Sequence, residues 1–220
     1  MGKMVHGFCS TIFQFYFTPM KKALIVFATI VFALQMQAQD VSLLEQIKTA
    51  NSKITSFEAD LSNSLVKSRK TKNQTGTVHY AKPYEFAAQF TTGNYMIVNE
   101  KKIKMDMGIF HGTFKLKDGG RMQSLANIFL YGFQGRIQDL ADENNYSLST
   151  KTENNYHVVT GTIKKKKLIG IGYKTVVFKF QTSDLMLKEI ELYDYSDSKD
   201  IYTISNVKYN VTVDKKQFQF

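Results

Sequence analysis

"GTVHYAKPYEF", Gly76 to Phe86, alternates up to Ala81: Val78 and Tyr80 fall on one face of an extended chain, Thr77 and His79 on the other. A period of two belongs to a β-strand with one buried face. Lys82 and Pro83 then interrupt it, and the alternation resumes at Phe86, Ala88 and Phe90. Proline has no N–H for a strand ladder and a fixed φ, so the interruption reads as a bend at the rim of an open sheet. Lys82 shares the parity of Val78 and Tyr80 and so points inward although charged.

The same period extends in both directions. Upstream, Phe57, Ala59 and Leu61 alternate with Glu58, Asp60 and Ser62, and the polar "KSRKTKNQTG" (Lys67–Gly76) reads as a hairpin loop. Downstream come Tyr95–Val98, then Ile103, Met105 and Met107. After these follow Tyr146–Lys151, Tyr156–Ile163, Thr175–Gln181, Lys188–Tyr195, Ile201–Tyr209 and Gln217–Phe220. Two stretches differ. Val41 to Ile54 places apolar residues at the three-and-four spacing of an amphipathic helix. "RMQSLANIFLYGFQGRIQDLADE" (Arg121–Glu143) reads as a second, unusually apolar helix carrying Leu125, Ile128, Phe129, Leu130 and Phe133, with Gly132 and Gly135 as hinges.

The 220 residues are 43% hydrophobic and include two prolines and no tryptophan, a composition that suits an ordinary globular domain. From Met20, "MKKALIVFATIVFALQMQAQD" has the lysines, apolar run and small residue (Ala38) of a secretory signal peptide. Its apolar run is about a dozen residues, against roughly 20 for a spanning helix. The reading is therefore translation from Met20, cleavage after Ala38 and one domain over 39–220. Gln39 stands where a lipoprotein would carry its acylated cysteine. The one cysteine, Cys9, lies upstream, so the mature chain has no thiol chemistry. It keeps 26 basic and 19 acidic side chains, a balance that favours anionic surfaces.

Ten or eleven antiparallel strands with two helical insertions and no linker amount to one strongly curved sheet. If the sheet does not close, the helices cover its inner face, either completing a filled core or roofing a hollow one. At this point the chain resembles the LolA-type periplasmic carriers of outer-membrane lipoproteins, with the related LolB receptor. "ITSFEADLSNSL" matches the opening S-F-x-A strand through Ser56, Phe57 and Ala59. "GTVHYAKPYEFAAQF" matches the family's basic-residue-proline motif, and "YMIVNEKKIKMDM" its hairpin. "DIYTISNVKYNVTVDKKQFQF" matches the closing strands through Ser205, Asn206, Asp214, Phe218 and Phe220. Lysine stands at 82 where the family usually has arginine, Glu100 or Lys101 replaces the hairpin glycine, and the closing double proline and glycine are absent.

The resemblance implies a mainly β (α+β) fold: an incomplete antiparallel barrel of about ten or eleven strands with an α-helical lid over a hydrophobic cavity that receives acyl chains. Strand parity makes Phe57, Leu61, Val78, Tyr80, Phe86, Phe90, Met105 and Met107 the lining, with Leu125, Ile128, Phe129 and Phe133 facing it from the lid. Methionine adapts to irregular chains. In the family the basic residue before the proline bonds to the lid helices. Lys82 donates three hydrogen bonds but lacks the planar fork of arginine, which implies a looser latch. Partners implied are acylated lipoproteins or other lipids, an inner-membrane ABC-type exporter, and an outer-membrane receptor or the membrane surface, met by a periplasmic monomer. A module of the same fold for another lipid or glycolipid, or an envelope-sensing regulator, is the alternative. "KKKK" (Lys164–Lys167) reads as a solvated turn or a contact with anionic lipid.

Nothing in the chain points to catalysis. His6, His79, His111 and His157 are scattered, and no G-x-S-x-G, P-loop or dinucleotide fingerprint occurs. Glu189 and Glu191 alternate on the polar face of a strand. No cofactor or metal is implied, and nucleic acid is not an expected partner behind a signal peptide.

Overall fold

The computed structural model describes residues 42–68, 70–107, 110–117, 120–164, 173–196 and 198–220. The expected leader and Lys165–Lys167 lie outside them. The amphipathic spacing after residue 41 forms a helix over residues 42–52 (α1). From there the chain builds a single sheet. Strands β1 (Ser56–Lys67), β2 (Lys70–Ala81), β3 (Glu85–Phe90), β4 (Tyr95–Asn99), β5 (Lys102–Met107) and β6 (Phe110–Lys115) lead outward as a meander. Helices α2 (Arg121–Gln134) and α3 (Ile137–Asn144) follow. Strands β7 (Tyr146–Glu153), β8 (Tyr156–Ile163), β9 (Thr175–Gln181), β10 (Leu187–Tyr193) and β11 (Lys199–Tyr209) then lead back. β11 pairs with β1, giving the order β6-β5-β4-β3-β2-β1-β11-β10-β9-β8-β7. All neighbours are antiparallel. The eleven-stranded sheet is open, because β6 and β7 form its two edges.

The turns follow from their residues. Asn154 and Asn155 both take positive φ (47° and 64°) between Glu153 and its partner Tyr156, the two-residue turn whose twist suits a hairpin. Three expectations change. "KSRKTKNQTG" is largely strand rather than loop: β1 and β2 pair as far as Lys67 with Lys70, and Ser68 after Lys67 takes a positive φ (55°). Polarity misled the reading, because this end of the ladder is largely solvated and needs no apolar face. The Lys82–Pro83 interruption is a full reversal, not a bend, with Ala81 opposite Glu85 and a cis peptide between Lys82 and Pro83. Gln217–Phe220 is not a strand either: Lys215–Phe218 forms a 3-10 turn whose first N–H groups are capped by Asp214.

That turn has a structural reason. It lays Phe218 (1% exposed) on the outer face of β3 and β4, against Ala87 and Ile97. Asn99 donates to Phe218 O at 3.1 Å and fixes it. The main core lies on the other face, where Phe57, Val78, Tyr80, Phe86, Val98, Ile103, Phe178, Ile190 and Tyr202 are buried beneath α2.

The single helix expected over Arg121–Glu143 is two. Gly135 ends α2 in the left-handed conformation (φ 67°), and its N–H bonds Gly132 O. Gly132 lies within α2 and not at its end. A Cβ there would lie 2.9 Å from the Phe178 ring and 3.4 Å from Ile190, so glycine lets α2 lie close on β9 and β10. Across the elbow, Glu143 accepts from Asn127 (2.9 Å) and from the Tyr131 hydroxyl (2.8 Å), which ties α3 to α2.

Candidate lipid cavity

The inner face of the sheet owes its character to strand parity. Odd residues of β1 and even residues of β2 and β3 share that face, placing Phe57 opposite Tyr80, Ala59 opposite Val78, and Val78 opposite Ala88. The face receives α2, whose Phe129 and Phe133 reach into it. Phe133 meets Phe57 (5.1 Å between ring centres), Tyr80 (5.5 Å) and Phe86 (5.8 Å). Phe129 meets Phe86 (5.3 Å) and Tyr202 (5.0 Å). Several of these pairs are edge-on or tilted, the arrangement aromatic quadrupoles favour.

These rings occupy the space between sheet and helix. Among the described residues, voids of about 10 Å³ lie at two places on this face. One is lined by Leu61, Val78, Phe86, Ala88, Phe129, Phe133, Ile190, Tyr202 and Ile204. The other lies among Asn51, Ile54, Phe57, Phe133, Leu187, Ile204, Val207 and Tyr209. Each has room for about one water, whereas a lipid-sized site takes several hundred Å³. What fills the inner face is therefore largely contributed by α2.

The thirteen residues expected to line the cavity separate into groups. Phe57, Leu61, Val78, Phe86, Phe129 and Phe133 line the two voids, and Tyr80 packs between Phe57 and Phe133. Phe90, Met105 and Ile128 are buried but do not line either void, while Leu125 and Met107 are only half-buried. Lys82 lies at the edge. Its Nζ donates to Ser52 O at 2.5 Å, at the C-terminal end of α1, and its backbone N–H donates to Thr55 O. A cation suits a helix C-terminus, where unpaired carbonyls collect. Partial burial lowers the Lys82 pKa.

The contact from the turn to α2 is made by a residue the sequence did not single out: Gln134 Nε2 donates to Pro83 O at 2.8 Å. The sequence carries no signal for it, since an amide near the end of a mostly apolar helix is ordinary until its burial and acceptor are seen. Close by, Gly135 packs on α1, where a Cβ would lie 2.8 Å from Ile47 O. Asn51 in turn bonds Ile47 O and Leu185 O. The lining from the second half of the sheet, Ile190, Tyr202 and Ile204, was also missed, although it shows the same period of two.

At the other end of the inner face the ladder turns polar. Asn63 and Gln74 are opposite each other and buried, and Gln74 Nε2 donates to Asn63 Oδ1 at 3.0 Å. Thr92 and Asn94 both donate to Gln74 Oε1 at 2.8 Å. Burial raises the pKa of the neighbouring Asp200. On the outer face, Glu191 accepts from Lys179 (2.6 Å), Lys199 (2.7 Å) and the Tyr193 hydroxyl (2.6 Å). Among the described residues no three His, Cys, Asp or Glu side chains come together as metal ligands, and no helix is long and apolar enough to cross a membrane.

The arrangement offers an apolar inner face covered by α2. Solved structures similar in fold include a LolA superfamily protein from Nitrosomonas europaea, at 12% identity and a TM-score of 0.41, covering 81% of this chain and 96% of that one. A DUF1329 family protein from Desulfovibrio piger is 13% identical with a TM-score of 0.45, covering 81% and 95%. The Pseudomonas aeruginosa MucA/MucB complex matches at 10% identity and a TM-score of 0.44, covering 81% of this chain and 60% of that one. No curated protein matches the sequence. The family model for the outer membrane lipoprotein carrier protein LolA matches residues 52–220, and the chain belongs to that family.

Proposed function

We propose that this protein is a periplasmic carrier, released from its leader after Ala38, that takes the acyl chains of lipoproteins between the inner face of the sheet and α2. It accepts them from an inner-membrane ABC-type exporter and delivers them to the outer membrane, through a receptor or at the membrane surface. The observation that carries this reading is the origin of the filling. Phe129 and Phe133 sit on a helix that is separate from the strands, so moving one element opens an apolar face spanning β1, β2, β3, β10 and β11. Each methylene taken from water contributes about 0.8 kcal/mol, so several acyl chains cannot cross an aqueous compartment uncovered. Rings that fill the space in the empty state keep the same face from water without a ligand, and dispersion contacts without directional bonds allow release.

Native mass spectrometry of protein purified from its own envelope tests the reading. A bound triacylated lipoprotein is the expected species. A small lipid alone would point instead to a lipid-binding or envelope-sensing module of the same fold, and protein that stays empty and takes up no acylated peptide would remove both.

A further inference from the structure

Tyr80 is fully buried against Phe57 and Phe133, and its hydroxyl has no well-formed hydrogen bond, although, against the burial that raises its pKa, the Gln134 side chain lies close enough to lower it. The Gln134 amide has better-defined partners of its own: Nε2 donates to Pro83 O at 2.8 Å, and Oε1 accepts from Arg136 Nη1 at 3.4 Å. Burying a donor without an acceptor is unfavourable, and a phenylalanine, the residue type at its neighbours Phe57, Phe86 and Phe133, would avoid it. Burial pushes the phenol up to about 12, so the group stays a neutral donor across physiological pH. The orphan is thus a property of the closed state that the packing does not need.

Opening changes its surroundings in a defined way. Phe133 and Gln134 are both on α2. When α2 leaves the sheet, the Tyr80 ring loses its cover and Pro83 O loses its donor. One donor and one acceptor then remain at the same end of an apolar face. The hydrocarbon of an acyl chain can use neither, but its ester or amide linkage brings a carbonyl, and an amide also an N–H.

Building on the carrier reading above, we propose that Tyr80 is the residue that recognises the acyl linkage: its Oη donates to an ester or amide carbonyl of the ligand, and Pro83 O accepts from an amide N–H. The tails then lie along the β1–β2 ladder toward Leu61 and Val78, which fixes the orientation of the cargo. The turn before β3 is accordingly part of the ligand site, not only a latch.

Equilibrium binding of two probes to the wild-type protein and Tyr80→Phe tests this. One probe is a tripalmitoylated glyceryl-cysteine peptide and the other is diphenylhexatriene, a hydrocarbon with no polar atom. The variant is expected to bind the lipopeptide about five- to ten-fold more weakly, the loss of one hydrogen bond, with diphenylhexatriene affinity unchanged or higher and a melting temperature no lower than wild type. Equal lipopeptide affinity, or an equal loss for both probes, overturns the proposal while leaving the carrier reading intact. Wild-type protein that binds neither probe overturns both.

Discussion

Lys82 and Gln134 approach the same turn from opposite sides, and together they explain what the lysine does. Lys82 reaches back to the carbonyl of Ser52 on α1, while Gln134 of α2 bonds the carbonyl of Pro83. The turn is therefore a clasp between two helices, with the lysine serving one of them. A single donor at the protein edge is worth about 1 kcal/mol. Lys82→Leu should lower the melting temperature slightly and raise binding of a hydrophobic dye to the empty protein; unchanged dye binding and unchanged lipid transfer would end the latch idea. Parity pointed Lys82 inward, but the residue lies in the turn beyond β2, where the pleat no longer sets its direction, and it reaches α1 at the edge. Its partner was not legible, since a backbone carbonyl at a helix end leaves no mark in the sequence. Gln134 was passed over for the opposite reason: an amide in a greasy helix is ordinary until its acceptor is seen.

The end of α2 is set by glycine chemistry. Gly135 combines a left-handed φ of 67° with a Cβ position 2.8 Å from Ile47 O, so alanine there meets both backbone strain and a clash. Gly135→Ala should cost about 1–3 kcal/mol in unfolding measurements and increase dye uptake by loosening α2 from α1. Hydrogen exchange should find α2 less protected than β1 and β11, and equal protection would argue against a mobile cover. On β10, burial pushes the Glu191 carboxyl up, but its bonds from Lys179, Lys199 and Tyr193 outweigh this and hold it at about 2, below the ordinary 4.5. A lowered folded value means that the contribution is present above pH 4.5 and lost as pH falls toward 2. Thermal melts of wild type should therefore decline over that window, while Glu191→Gln, already less stable at neutral pH, declines less. The strands were legible at this scale wherever one face is buried. The β1–β2 tip and the Phe218 turn were not, because the first is strand without an apolar face and the second covers the reverse side of strands already assigned an inside.

For the whole molecule, the open sheet follows from chain order: a meander out, a crossover through α2 and α3, and a meander back that meets β1. The helices thus connect the two free edges of the sheet and necessarily pass over one of its faces. Sequence patterning conveys this layout, but not how much room is left beneath, since an apolar residue on a helix reads alike whether it fills a core or plugs a cavity. One ring puts the difference to a test. Phe133 contacts Phe57, Tyr80 and Phe86 and borders both voids. In a permanent core, Phe133→Ala would cost about 3–5 kcal/mol and leave a hollow the size of one ring, too small for a probe as long as diphenylhexatriene. In a carrier the same change removes part of what a ligand must displace, and it leaves an apolar hollow, which stays dry and takes up apolar guests. The expected result is a lower melting temperature together with tighter diphenylhexatriene binding, and a recovery of melting temperature when the probe is present, because a ligand at free concentration L that binds only the folded state stabilises it by RT ln(1 + L/Kd). Lost stability with no gain in uptake would mark Phe133 as fixed core and place the ligand elsewhere on the sheet.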